Sequence, residues 1–241
     1  MPTREPLSAC PQGNAGMTPA YNTGGNTAFV IGANMQDFHT GGGTDEVFVE
    51  VCNIDPANSH QLVGSFHQGS IVAPNDLFYQ TIAPQQGWMK ILGGDIMLTG
   101  TGLAFGVPTL GDQNYLNIRG FVNRIVDPRK QKLSAANAYN QNIKIIGTSA
   151  GAATLLHNAV SGTAQIDEVY VNLTNTSLAT VLATLCIGGT SSACQMMVNI
   201  PPQTGWTVGL NGESLNNGLA VSAFAATANV LNARGWINRL S

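Results

Sequence analysis

Two halves of this chain carry the same text. Asp45-Glu46-Val47-Phe48-Val49-Glu50-Val51 matches Asp167-Glu168-Val169-Tyr170-Val171-Asn172-Leu173, and Pro84-Gln85-Gln86-Gly87-Trp88 matches Pro202-Gln203-Thr204-Gly205-Trp206. Gly102-Leu103-Ala104-Phe105 matches Gly218-Leu219-Ala220-Val221. The match that closes each half is Asn117-Ile118-Arg119-Gly120-Phe121-Val122-Asn123-Arg124-Ile125 against Asn232-Ala233-Arg234-Gly235-Trp236-Ile237-Asn238-Arg239-Leu240. The four matches keep their order, at offsets between 115 and 122. A repeat of that period means two copies of one unit of about a hundred residues, so the fold must be one that such a length completes by itself.

The copies have the period of β structure. In Asp45–Val51, Val47, Val49 and Val51 share one face, and Glu46, Phe48 and Glu50 share the other. In the second copy Val169, Val171 and Leu173 form the apolar face. Alternation with β-branched residues marks a half-buried strand. Turn signals recur between short apolar runs, as in Gly93-Gly94-Asp95, Pro108-Thr109-Leu110-Gly111-Asp112 and Asn211-Gly212-Glu213. Many short strands with frequent turns predict an all-β chain: two tandem antiparallel β-sandwich or small-barrel domains. Ser177–Cys186 and Ala220–Leu231 have helix-compatible composition. Their counterparts hold Gly64 or Gly106-Val107-Pro108, which argue against long helices. The expected organisation is an extended N-terminal arm over 1–27, a β domain over 28–126, a linker over 127–140 and a second β domain over 141–241.

Charged residues make up 10% of the chain, well below the usual quarter, and the net charge is −3. That gives no electrostatic case for nucleic acid or anionic lipid. The basic cluster Arg129-Lys130-Gln131-Lys132 reads as part of a solvated linker. No apolar run reaches the ~18 residues of a membrane helix, and MPTREPLSAC lacks a signal-peptide core, so cytoplasmic synthesis without membrane association is the expectation. The four cysteines, Cys10, Cys52, Cys186 and Cys194, show no metal-ligand spacing and read as reduced thiols, with Cys186 and Cys194 placed to face each other across a hairpin. His39, His60 and His67 are scattered and have no evident counterparts in the second copy, so neither a metal nor another cofactor is expected.

Few charged positions recur in both copies. An arginine of each closing segment is expected to pair with the early acidic pair: Arg119 or Arg124 with Asp45 or Glu46, and Arg234 or Arg239 with Asp167 or Glu168. Trp88 and Trp206 follow the same Pro-Gln-x-Gly turn. A repeated tryptophan most often anchors a core; exposed beside polar groups, it would serve sugar stacking instead.

Gly147-Thr148-Ser149-Ala150-Gly151 has the Gly-x-Ser-x-Gly pattern that exposes a nucleophilic serine between a strand and a helix. Gly147–Ala152 resembles the patatin-like lipase signature. That resemblance implies a serine nucleophile, an Asp-Gly partner and an upstream glycine-rich oxyanion segment. The one aspartate after Ser149 is Asp167, which precedes Glu168; the one histidine is His157, and no glycine lies in the stretch from Val126 to Lys144. Ser149 is therefore expected not to be nucleophilic, and no catalytic residue is assigned.

Tandem β domains, low charge and an extended arm resemble capsid decoration or cement proteins of tailed bacteriophages. The resemblance is of architecture and composition. It implies a non-enzymatic virion protein, a homo-oligomer that staples a major capsid protein or another virion protein. The alternatives are a carbohydrate-binding or adhesin-like β module of a tail or cell surface, and a patatin-like hydrolase using Ser149.

Overall fold

The computed structural model of the chain describes residues 4–6, 19–20, 28–30, 35–41, 44–68, 77–108, 115–124, 129–137 and 141–241. The architecture is all-β, and every pairing between the described strands is antiparallel. The chain divides into two compact units, Met1–Val126 and Asp127–Ser241.

Unit 1 holds β1 (Arg4–Pro6), β2 (Pro19–Ala20), β3 (Ala28–Val30), β4 (Gln36–Thr40), β5 (Asp45–Asn53), β6 (His60–His67), β7 (Leu77–Ile82), β8 (Met89–Met97), β9 (Gly102–Gly106) and β10 (Leu116–Arg124). Unit 2 holds β11 (Lys130–Lys132), β12 (Ile143–Ile145), β13 (Thr154–Asn158), β14 (Ile166–Asn175), β15 (Val181–Ile187), β16 (Gln195–Ile200), β17 (Thr207–Leu215), β18 (Ala220–Ala225) and β19 (Leu231–Leu240). In unit 1 the sheets run β3-β10-β5-β8 and β4-β9-β6-β7. In unit 2, β12 pairs with β19, which continues to β14 and β17, and the second sheet runs β13-β18-β15-β16. With eight strands numbered within each unit, both give the orders 1-8-3-6 and 2-7-4-5, two interlocked Greek keys of the jelly-roll type.

The pattern of β5 and β14 positions the rest. Val47, Val49 and Val51 are fully buried, as are Val169, Val171 and Leu173, while Phe48, Glu50, Tyr170 and Asn172 face outward and are half-buried. In unit 2 the inward residues of both sheets form one core, including Leu156, Val171, Leu185, Val221 and Ile237. Both strands end on a buried asparagine that ties the sheets' ends. Asn53 donates to the carbonyls of Asn58, Ile82 and Ala83, and Asn175 donates to those of Ala179 and Ile200.

Several sequence expectations are corrected. Within the expected linker, the described residues 129–137 are not a free connection: β11 pairs with β19, placing Lys130 opposite Asn238 and Lys132 opposite Trp236, and Leu133 is fully buried. β1 does the same in unit 1, with Arg4 opposite Asn123 and Pro6 opposite Phe121. The described parts of the expected arm, β1 and β2, are thus strands of unit 1's own sheet; its other residues lie outside the described set. The equivalence exposes a fifth match, Arg4-Glu5-Pro6-Leu7-Ser8-Ala9 with Lys130-Gln131-Lys132-Leu133-Ser134-Ala135. The helix-compatible stretches hold strands β15 and β18 instead; β18 alternates in burial as a pleated strand does, while β15 is buried on both faces over 183–186. Gly93-Gly94-Asp95 and Asn211-Gly212-Glu213 are not turns between strands but sit inside β8 and β17 at bulges.

Candidate functional site

The outer face of the sheet built on β5 or β14 repeats one arrangement in each unit. Phe48 on β5 lies opposite Phe121 on β10, and the rings stack at 4.7 Å with 11° between their planes. Tyr170 on β14 lies opposite Trp236 on β19, stacked at 5.3 Å and 10°. All four rings are half-buried. The neighbouring strand is irregular beside each pair. β8 breaks register between Val47 and Phe48 and again between Val49 and Glu50, and β17 does so between Val169 and Tyr170 and between Val171 and Asn172. Gly94 and Gly212 take left-handed φ values of 101° and 83° at these bulges, which only glycine adopts cheaply. A Cβ on Gly212 would press within 3.2 Å of the Tyr170 hydroxyl, so the glycine leaves room for that group.

In unit 1 the pair borders a cleft of about 360 Å³ lined by Phe48, Glu50, Lys90, Leu92, Arg119 and Phe121, among others. Arg119 bridges the cleft wall. Its Nε and one terminal nitrogen both reach Glu50 Oε2 at 2.7 Å, and its guanidinium carbon stands 4.2 Å from the centre of the Trp88 ring. Trp88 is 38% exposed, so it is a surface ring and not a core anchor. The Pro-Gln-x-Gly turn that presents it has Gln85 in the left-handed region (φ 52°), and Gln203 repeats this (φ 50°). In unit 2 the corresponding face is less charged. Asn172 stands where unit 1 has Glu50, Val208 where it has Lys90, and Lys130 lies over the Trp236 ring at 4.7 Å. Trp206, the counterpart of Trp88, is half-buried.

The sequence-selected ionic residues distribute as follows. Arg239 donates twice to Asp167, from Nε to Oδ1 at 2.8 Å and from Nη2 to Oδ2 at 3.1 Å. Arg119 joins Glu50 rather than Asp45 or Glu46, because register places it opposite Glu50. Asp45 lies five residues away along β5, roughly 16 Å and beyond an arginine's reach. Arg124 stands opposite Asp45 in register, and its side chain lies outside the described set. Glu46 accepts a long hydrogen bond from Asn123 Nδ2 at 3.5 Å. Arg234, 2% exposed, stands opposite Asn172 and not an acid, and Glu168 stands opposite Asn238.

Histidines missed in the sequence complete these clusters. His39 Nε2 lies 3.1 Å from Asp45 Oδ2, and His157 Nε2 lies 3.0 Å from Asp167 Oδ2, all four side chains being at most 2% exposed. β4 and β13 each carry a bulge just before the histidine. His39 and His157 are therefore counterparts after all. The His157 ring is fully used: Nδ1 accepts from the Ser134 N–H, so Nε2 carries the hydrogen that goes to Asp167. Burial pushes the His157 pKa down, against the pull of Asp167. Burial pushes Asp167 up, but its hydrogen bonds from Arg239, His157 and the Val160 N–H outweigh that and hold it below the usual carboxylate range. Nothing in this arrangement leaves His157 able to take a proton from Ser149. Ser149 is exposed and is followed by a single 3-10 turn, Ala150–Ala152, not the helix of a nucleophile elbow. Cys52, Cys186 and Cys194 are free thiols, and burial raises the pKa of Cys52 and Cys186. No group of three metal-ligating side chains occurs among the described residues.

No protein-family model matches the chain, and no curated protein does. Among solved structures, the N-terminal CBM22-1-CBM22-2 tandem domain of Xyn10C from Paenibacillus barcinonensis is similar over 93% of this chain and 90% of that one, with 10% identity and a TM-score of 0.33. A likeness of that size is silent on ligands and residue roles.

Proposed function

We propose that the chain is a non-catalytic glycan-binding protein whose two units each present an aromatic sheet face to a sugar chain. The jelly-roll order does not choose between readings, since viral capsid domains and lectins both use it. The stacked aromatic pair is the observation that carries the proposal. Cross-strand aromatic pairs stabilise many sheets. These two sit on the outer face, at equivalent positions, beside glycine bulges that open the neighbouring strand. In unit 1 the pair borders a cleft with an Arg119–Glu50 fork and the exposed Trp88 ring. Flat apolar rings next to oriented polar groups match the alternating C–H and hydroxyl surfaces of a pyranose.

The virion reading drew on an arm reaching from the domains. The described parts of that arm are strands of unit 1, and no described residue speaks for a capsid contact. Electrophoresis through gels holding soluble polysaccharides tests the proposal. The chain should be retarded by at least one polysaccharide, and Phe121→Ala with Trp236→Ala should weaken that retention about tenfold or more. Free migration in every polysaccharide, or unchanged retention in the double variant, would overturn it.

A further inference from the structure

Resting on the glycan reading of unit 1, we infer that the unit 1 cleft selects acidic sugars, with the Lys90 ammonium receiving the sugar carboxylate beside the Phe48–Phe121 stack. Three ionisable side chains line the cleft: Glu50, Arg119 and Lys90. Two of them cancel. Both Arg119 ionic contacts go to Glu50, and the guanidinium carbon stands 4.2 Å from the Trp88 ring centre, so this cation is matched. Lys90 is opposite Glu50 in register, yet it forms no ion pair with it or with any other described carboxylate. The unmatched charge of the cleft is therefore a single ammonium.

Its position is built into the strand. Phe48 faces Gly93 across β5 and β8, where a side chain would normally pair with the ring. The Lys90 chain lies over that glycine instead. A Cβ added at Gly93 would stand 3.2 Å from the Cδ, Cε and Nζ atoms of Lys90 alike. The missing side chain thus makes the bed in which the lysine lies down, and brings its charge to the edge of the aromatic platform. A carboxylate-bearing ring resting on Phe48 and Phe121 would meet a charge-assisted donor there, about twice as strong as a neutral one. Unit 2 has Val208 at the matching strand position and Asn172 in place of Glu50, so its face lacks the acidic-sugar device.

The test is isothermal titration of the full chain, at low ionic strength, with oligoglucuronate and oligogalacturonate and with the carboxyl-reduced form of each oligomer. At least one acidic oligomer should bind about tenfold tighter than its reduced form. That ratio should fall toward one in Lys90→Met, and also in Gly93→Val, which keeps the charge but occupies its bed. Lys90→Arg should retain it. Equal affinity for acidic and reduced oligomers, or a preference that survives Lys90→Met, would overturn the inference and leave the glycan reading standing. If no oligomer binds while neutral polysaccharides retain the chain in gels, the inference alone is again overturned. If nothing binds in either assay, both fall.

Discussion

Gly147, the first residue of the Gly-x-Ser-x-Gly stretch, has a packing role. A Cβ there would lie 2.1 Å from the Ala152 carbonyl oxygen, while Thr154 Oγ1 accepts from the N–H groups of Ile146 and Gly147 and the Ala225 N–H donates to the Gly147 carbonyl. The glycine lets the loop fold back on itself, and Ser149 hangs outside it with no side-chain cap. Gly147→Ala should therefore cost ~1–3 kcal/mol in denaturant unfolding, whereas Ser149→Ala should stay within about 0.5 kcal/mol. Other residue roles were hidden by compensation between the copies. Gly64 lies opposite Phe78 and Phe105 in unit 1; the same registers in unit 2 hold Leu185, Met196 and Ala223. A glycine with a phenylalanine has become a leucine with an alanine, conserving volume but erasing the match in text. The alternation of β5 and β14 was legible because it depends on period alone. Whether Trp88 anchors a core or stands at the surface was not legible, because a tryptophan's own identity does not say which of the two it takes.

At the scale of elements, the buried histidines show why the site was only partly legible. His39 precedes Asp45 by six residues, and His157 precedes Asp167 by ten. The β4–β5 and β13–β14 loops differ in length, so the repeat falls out of register in sequence although bulge and hydrogen bond coincide in space. The match of Gly102–Phe105 with Gly218–Val221 slipped likewise. Leu103 pairs with His39 and Val221 with His157, so Leu103 and Val221 are the equivalent pair, two residues from the textual alignment. The slip kept the sheet face because it is even. The His157 cluster carries a pH dependence of definite sign. Its imidazole pKa is lowered on folding, so the unfolded chain binds that proton more tightly, and stability falls as pH drops below the ordinary value of 6.5. Protonated Nδ1 would also face the Ser134 N–H. Asp167, likewise lowered, adds a second loss in the same direction below 3.8. In a Trp88→Phe chain the remaining tryptophans, Trp206 and Trp236, both report on unit 2. Their unfolding midpoint in urea should decrease from pH 7.5 to pH 5, with a shallower decrease in His157→Gln; a flat profile, or the same slope in the variant, would refute the assignment.

For the whole molecule, the repeat reading captured two β units, but not where the second begins. β11 is three polar residues with no periodicity to read, and its meaning lies in its pairing with β19 and in the buried Leu133 beyond it. A fragment spanning 127–241 should fold cooperatively, and one spanning 141–241 should be less stable by at least the ~1.5–3 kcal/mol of one buried leucine. Equal stability of the two would return 127–140 to the status of a linker. The proposed binding faces were least legible, because they are assembled from residues some seventy positions apart, Phe48 with Phe121 and Tyr170 with Trp236, joined only by strand pairing. The most direct test is to map amide chemical-shift changes on the full chain as a retaining oligosaccharide is added. The account predicts changes centred on Phe48, Glu50, Lys90, Arg119 and Phe121 in unit 1, or on Tyr170 and Trp236 in unit 2; saturable changes confined to other surfaces would contradict it.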